Sequence, residues 1–231
     1  MAQEFDRYSK NYNAVLEESL KISGYDTFHL VRAKLKKLAQ LNPMERESPI
    51  DFLDYGCGSG NLCLDFNRYF PKARYFGVDP SGAMIETAKT QYGAKGTFCA
   101  MSSEEWRIRS YDIIFSSGVF HHIPHEDHKK IVCALKRSLT PSGKMVIWEH
   151  NPLNPITRKI VADCPFDKNA VLIPSKQMAD LFYEAGFSRV EVIFTAFFPK
   201  FLRVFTPAER FLEWLPLGAQ YVVVGENTNS S

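Results

Sequence analysis

The sequence predicts an α/β chain built on a doubly wound, mostly parallel sheet, and three observations carry that reading. Apolar strand-like runs alternate with stretches of helical periodicity across residues 50–198. One run, IDFLDYGCGSG at 50–60, ends in an acid, Asp54, and then in glycines at alternate positions, Gly56, Gly58 and Gly60. This is the pattern of a buried strand leaving the sheet through a tight turn that backbone can approach closely. Residues suited to chemistry (Gly56, Asp79, Ser102, His121 and Glu149) fall at the carboxyl ends of successive strand candidates. In open α/β sheets that edge is where ligands bind.

Taken in order, residues 5–23 place Tyr8, Tyr12, Val15, Leu16 and Leu20 on one helical face. A second helix over 27–41 sets Leu30, Val31, Leu35 and Leu38 on one side, with Arg32, Lys34, Lys36 and Lys37 largely elsewhere. Both read as a cover on the sheet; the sharper reading is a lid whose Tyr8 and Tyr12 touch substrate. The turn at 56–60 leads into a helix over 61–70, whose amide-rich start faces the same edge. A strand follows at 74–79, a helix from Ser81 to 92, and strands at 97–101 and 111–119. Next come a helix over 125–139, a turn at 140–143 and a strand over 144–150. A helix over 175–185 and strands at 189–198 and 220–225 complete the pattern. The expected architecture is a Rossmann-like, seven-stranded sheet with an antiparallel last strand and an N-terminal helical cover. Residues 1–48 form the cover, 49–226 the core of a single domain and 227–231 a loose tail.

Bulk properties exclude several classes. At 231 residues the chain can bury a full core, and 45% hydrophobic with 23% charged residues is ordinary for a globular protein. A net charge of +2 gives no footprint for nucleic acid. The five cysteines are scattered, without C-x-x-C spacing, so neither disulfides nor zinc is expected. The polar start has no signal-peptide core, and no apolar run approaches the roughly 20 residues of a spanning helix. A reducing cytoplasm is the expected compartment.

Two nucleotide cofactors suit the architecture. A nicotinamide dinucleotide calls for G-x-G-x-x-G before a pyrophosphate, the pattern of an oxidoreductase. Here the third glycine comes one residue early, and Asp54 stands where it would repel phosphate. S-adenosyl-L-methionine carries a sulfonium and an α-ammonium but no phosphate, and Asp79, about twenty residues beyond the glycines, suits its ribose. At this point the chain resembles the class I S-adenosylmethionine-dependent methyltransferases. The resemblance rests on LDYGCGSG (53–60), FGVDPS (76–81), YDIIFSSGVFHHI (111–123) and LTPSGK (139–144). It implies that the Gly56, Gly58 and Gly60 turn holds the methionine end, with Asp54 near its ammonium. It further implies Asp79 on the ribose, Pro80 and Met84 beside adenine, Ser102 and Ser103 near its amine, and Ser117 and His121 bordering the methionine moiety. Members often carry an acid at the Ser102 position. EHNPLNPITR (149–158), CPFDKNAVLIP (164–174) and WLPLGAQY (214–221) also resemble a small bacterial group with an E-H-N-P-x-N-P-x-T motif.

Methyl transfer needs alignment and exclusion of water, and a hydroxyl nucleophile also benefits from a general base. His121 and His122 are the candidates, with Glu149 beside them; the plain alternative is that the histidines only shape the loop. His150 and Asn151 are candidate substrate contacts, unless Glu149 and Asn151 merely tie down the proline-rich loop. His125, Glu126, Asp127 and His128 resemble a metal cluster but read as a solvated first helical turn; no metal site is expected. Asn151-Pro152 follows the fifth strand rather than the fourth, which argues against nucleic-acid base methylation. The 199–217 insert alternates Phe201, Leu202, Phe205, Phe211, Leu212, Trp214 and Leu215 with Lys200, Arg203 and Arg210. It reads as a packed helix or dimer contact, or as a peripheral membrane surface; monomer and homodimer both remain open. The expected activity is methylation, favouring oxygen, of a small-molecule, sugar or lipid-linked acceptor. The alternatives are a small-amine N-methyltransferase and a non-catalytic S-adenosylmethionine-binding protein.

Overall fold

The structure is a computed structural model describing residues 24–227. The helix expected over 5–23, with Tyr8 and Tyr12, and the end of the expected tail lie outside the described residues. Seven strands form one sheet: β1 (Asp51–Tyr55), β2 (Arg74–Asp79), β3 (Thr97–Ala100), β4 (Tyr111–Ser117), β5 (Leu139–His150), β6 (Arg189–Thr195) and β7 (Gln220–Glu226). Their order is β3-β2-β1-β4-β5-β7-β6. The first five run parallel, and β7 is antiparallel to both β5 and β6. The expected fold is the observed one.

Strand parity sorts the core into two layers, because successive side chains leave a sheet on opposite faces. Phe52, Ile113, Phe115, Val146 and Trp148 lie in one cluster; Leu53, Tyr55, Ile114, Met145 and Ile147 lie in the other. The first face is covered by α1 (Thr27–Leu41), through Leu35 and Leu38, by α3 (Cys63–Tyr69), through Phe66, and by α4 (Gly82–Tyr92), through Ile85 and Ala88. A short helix, α2 (Pro43–Arg46), follows α1. The second face is covered by α5 (His125–Arg137) and α7 (Ser175–Glu184), through Val132, Leu135, Met178 and Phe182. Asp26 caps α1 by accepting from the His29 amide at 2.7 Å, as Asp commonly does at helix starts. The Arg32 Nε–Asp65 pair, 2.5 Å, ties α1 to α3. Residues 27–41 therefore form the expected cover.

Four details differ from expectation. The turn at 140–143 does not interrupt β5: the ladder jumps from Tyr111↔Leu139 to Ile113↔Lys144, so these residues bulge from a continuing strand. The proline-rich stretch after β5 is helical, α6 (Pro155–Asp163). Pro155 occupies the first turn, where a missing N–H costs nothing, and Asn154 accepts from the Ile156 and Thr157 amides. β6 ends at Thr195, not 198. The insert is 3-10 helical over Lys200–Phe211 and leaves Phe201, Val204, Phe205, Phe211 and Trp214 exposed rather than packed.

Candidate active site

The parallel order reverses direction between β1 and β4, so their carboxyl ends diverge and open a crevice. A cleft of about 220 Å³ lies there. Its wall comes from β1 and its turn (Asp54, Gly56, Cys57, Gly58), from β4 (Ser117, Gly118, His121, His122), from β5 (Trp148, Glu149, His150) and from α1 (Lys34). Phe166 and Asp167, in a 3-10 turn after α6, complete it.

The glycine turn is shaped by close approach. Gly56 has φ +82°, and a Cβ there would stand 2.3 Å from Val119 Cγ2. Gly58 has φ +53° with nothing near an added Cβ, so its backbone faces open space. The turn is fastened to β2: the Gly56 and Cys57 amides donate to the Val78 carbonyl at 2.8 and 3.0 Å. Asp79 reinforces it, one carboxylate oxygen accepting from Gly58 N at 2.8 Å and the other from Ser81 N at 2.9 Å.

Two opposite charges face the cleft. Asp54 is buried and accepts a hydrogen bond from the Tyr75 hydroxyl. Burial pushes its pKa up to about 7, Tyr75 and Lys34 opposing the rise and Asp79 adding to it. Lys34 reaches in from α1, donates to Ser117 Oγ at 2.7 Å and sits 5.9 Å from the Trp148 ring centre. Burial lowers its pKa to about 8, while Glu149 and Asp54 hold it up.

The other end of the cleft is a histidine–carboxylate network. Glu149 Oε1 accepts from the Val119 and Phe120 amides at 3.0 and 2.8 Å, and Oε2 pairs with His121 Nδ1 at 2.6 Å. Asp167 Oδ1 lies 3.5 Å from His121 Nε2 and 3.2 Å from His122 Nε2. Burial alone would neutralise His121, but Glu149 and Asp167 raise its pKa instead. Burial would likewise raise Glu149 and Asp167, yet the facing histidines hold both carboxyls below their ordinary range. His150, packed against His121, is lowered to about 4 by burial and by that neighbouring cation.

Of the residues singled out from sequence, Asp54, Gly56, Gly58, Ser117, His121, His122, Glu149 and His150 share this one cleft. Gly60, Asp79, Pro80, Met84, Ser102, Ser103 and Asn151 do not line it. Asn151 is committed to backbone, donating to the carbonyls of Pro216 and Gly218 and accepting from Leu153 N. That geometry matches the tie-down reading of the loop. His128 departs from the solvated first turn: it is buried, its Nε2 lying 3.0 Å from the carbonyls of both Phe120 and Ile123. Lys34 and Asp167 are additions. Lys34 carries a sequence signal, falling seven residues after Thr27 and four before Leu38, on the buried stripe of α1. Asp167 carries none beyond being an acid in a loop.

Residues 52–143 match a family described as a methyltransferase domain. Over 192 residues the chain is 25% identical to a malonyl-[acyl-carrier protein] O-methyltransferase of Brevibacillus brevis, covering 75% of this chain and 68% of that protein. It is 30% identical over 131 residues to a trans-aconitate 2-methyltransferase of Pseudomonas aeruginosa, covering 56% of this chain but only 46% of the relative. Among solved structures, it superposes on a Thermotoga maritima S-adenosylmethionine-dependent methyltransferase described as a possible histamine N-methyltransferase. That match has a TM-score of 0.67 at 17% identity, covering 98% of this chain and 99% of the other.

Residues 52–143 thus match a methyltransferase domain, on the fold of solved S-adenosylmethionine-dependent methyltransferases, the group whose donor is S-adenosyl-L-methionine. The cleft fits that donor. An acid and an ammonium face one space, complementary to the two charges of an α-amino acid, and Gly58 keeps side-chain bulk out of it. Among the described residues no helix is long and apolar enough to cross a membrane.

Proposed function

We propose that the protein transfers a methyl group to an oxygen of a small-molecule, sugar or lipid-linked acceptor seated against His121, His122 and His150. One observation carries this reading: donor-facing groups (Asp54, Gly58, Lys34) and the histidine–carboxylate end line a single cleft. The donor supplies a methyl on a sulfonium, already activated for displacement, so the protein's work is alignment in a water-poor space. Asp54 holds the donor's ammonium, Lys34 its carboxylate and Asp79 its ribose hydroxyls. Both ring nitrogens of His121 face carboxylates, Glu149 and Asp167. It therefore frames the acceptor end and is not free to take a proton as general base. The oxygen preference is supported by the first relative, named an O-methyltransferase.

A screen with tritium-methyl donor on soluble and lipid extracts tests the reading. Label is expected in an oxygen-linked methyl of one fraction, together with S-adenosylhomocysteine release. Donor binding without turnover on any extract would instead mark a non-catalytic binding protein, and label on nitrogen an amine methyltransferase. The lipid-linked variant is supported by the exposed Phe201, Phe205, Phe211 and Trp214, interleaved with Lys200, Arg203 and Arg210. Co-sedimentation with anionic vesicles is the expected result; no pelleting with anionic or neutral vesicles removes that variant and leaves a soluble acceptor.

Donor binding should depend on pH in both directions. In the donor-free protein Asp54 faces Tyr75, Asp79 and Lys34, and its pKa is about 7. Below that it is protonated and loses its grip on an ammonium, so affinity falls by up to tenfold per pH unit. Lys34 faces Asp54, Glu149 and His150, and above about 8 it loses the charge that pairs with the donor's carboxylate. The donor's own α-amino group titrates at roughly the same point. Calorimetry is expected to show tightest binding between about 7 and 8, the window these shifts define. Asp54→Asn should flatten the acid limb, and Lys34→Met should make the alkaline limb shallower. A pH-independent affinity would remove both assignments.

A further inference from the structure

We propose that His121, His150 and Asp167 form a binding site for one divalent transition-metal ion at the acceptor end of the cleft. Their ligand atoms come from three chain segments: the turn after β4, the end of β5 and the 3-10 turn Pro165–Asp167. All three atoms lie within 4.8 Å of one another. Ligands sharing an ion at about 2.0–2.2 Å stand roughly 3.0–3.5 Å apart, and the His121 Nε2–Asp167 Oδ1 edge is already 3.5 Å. The other edges are at most 4.8 Å, so closing them takes a shortening of no more than about 1.3–1.8 Å, shared between two side chains and within reach of their torsions.

The surroundings are those of a built site. His121 is 3% exposed, and Glu149, 2% exposed, holds its Nδ1 at 2.6 Å. This carboxylate–histidine pairing orients Nε2 inward, as the outer partners of metal-bound histidines do. Glu149 is itself fixed by the Val119 and Phe120 amides. The segment carrying Asp167 is strapped over the histidines, since Val171 N donates to the His121 carbonyl at 2.9 Å and Ala170 N to the Asp167 carbonyl at 2.9 Å. Two imidazoles and one carboxylate favour Zn²⁺, Fe²⁺, Co²⁺, Mn²⁺ or Ni²⁺ over Ca²⁺ or Mg²⁺, which prefer all-oxygen sets. Three protein ligands leave positions vacant, and all three residues line the cleft. An ion there would take an oxygen ligand from a hydroxyl or carboxylate acceptor, orient it and lower the pKa of a hydroxyl. This last consequence rests on the methyl-transfer reading; the ion site itself does not.

The test is calorimetry and cobalt spectroscopy on untagged, chelator-treated protein without donor or acceptor. Wild type is expected to bind one equivalent of Zn²⁺ or Co²⁺, with Mg²⁺ at least a hundredfold weaker. His150→Gln and Asp167→Asn should each weaken Zn²⁺ binding tenfold or more while far-UV circular dichroism stays unchanged. If either variant misfolds, the visible spectrum of the wild-type Co²⁺ form decides. Nitrogen–oxygen ligand-field bands without thiolate charge transfer uphold the assignment; a thiolate band, pointing to Cys164, overturns it. So does absence of stoichiometric binding, or binding undiminished in both variants, each of which would make the cluster an ion-pair network only. Because no methyl transfer is read, failure here leaves the proposed activity standing.

Discussion

Glu149→Ala is expected to lower stability by about 3–5 kcal/mol, the usual cost of stripping one partner from a buried charge pair. Glu149 is 2% exposed and serves three donors at once: the amides of Val119 and Phe120 and the Nδ1 side of His121. Without it, the part-buried Val119 amide, the buried Phe120 amide and the His121 imidazole cation lose their acceptor. At roughly 2–4 °C per kcal/mol for a chain of this size, the melting midpoint should fall by about 10 °C. Glu149→Gln keeps an oxygen for the two amides but loses the charge and turns an N–H donor toward His121 Nδ1, so it should recover only part of the loss, about half. An exposed pair supplies the contrast. Lys159 and Asp163 meet at 3.1 Å with side chains 67% and 55% exposed, and Asp163→Ala should leave the midpoint where it was. Denaturant and thermal unfolding of the three variants check the order; a Glu149→Ala midpoint within about 2 °C of wild type would show that the network does not hold the loop.

This role for Glu149 also shows where sequence reasoning stops. That an acid ends the fifth strand was legible, because strand and turn signals are local. That its two oxygens close three bonds to a loop 28–30 residues earlier was not, because only tertiary packing brings them together. The same boundary separates the legible half of the cleft from the rest. Asp54, Gly56, Gly58 and Asp79 follow from one strand–turn–helix and its neighbour; the first three line the cleft, whereas Asp79 does not and instead accepts from Gly58 N. Lys34 was half visible: it sits on the buried stripe of α1, but its charge counted against reading that position as inward-facing. Burial of a lysine there makes sense only beside Asp54 and Glu149, which no periodicity reveals. Asp167 was invisible, an acid in a loop whose partners lie 45 and 46 residues away. The β5 bulge and α6 were obscured for a simpler reason. Pro141 and Pro155 read as breakers, yet one sits in a bulge and the other in a first helical turn, where proline is tolerated.

Asp79→Ala should have the larger effect on function. Asp79 closes β2 and fastens the glycine turn after β1 through Gly58 N, while its other oxygen holds its own turn through Ser81 N. Its loss acts twice: the two amides lose a charged acceptor, and the donor's ribose loses the carboxylate proposed to hold its hydroxyls. Hydrogen bonds to a charged group contribute about 1.5–3 kcal/mol each, so two of them correspond to a weakening of donor affinity by roughly a hundredfold or more. Asp79→Asn separates the two causes. Its amide keeps one oxygen for one backbone N–H but turns an N–H donor toward the other, so the turn should be partly restored while ribose binding stays weak. Titration with S-adenosylhomocysteine, which lacks the transferable methyl, reads affinity without turnover, and the melting midpoint without ligand reads the turn. If Asp79→Ala melts lower yet binds within about threefold of wild type, which is well under 1 kcal/mol, the residue fastens the turn and the ribose is held elsewhere. If affinity collapses with the midpoint unchanged, the ribose contact stands on its own and the turn is held by the Gly56 and Cys57 bonds to Val78.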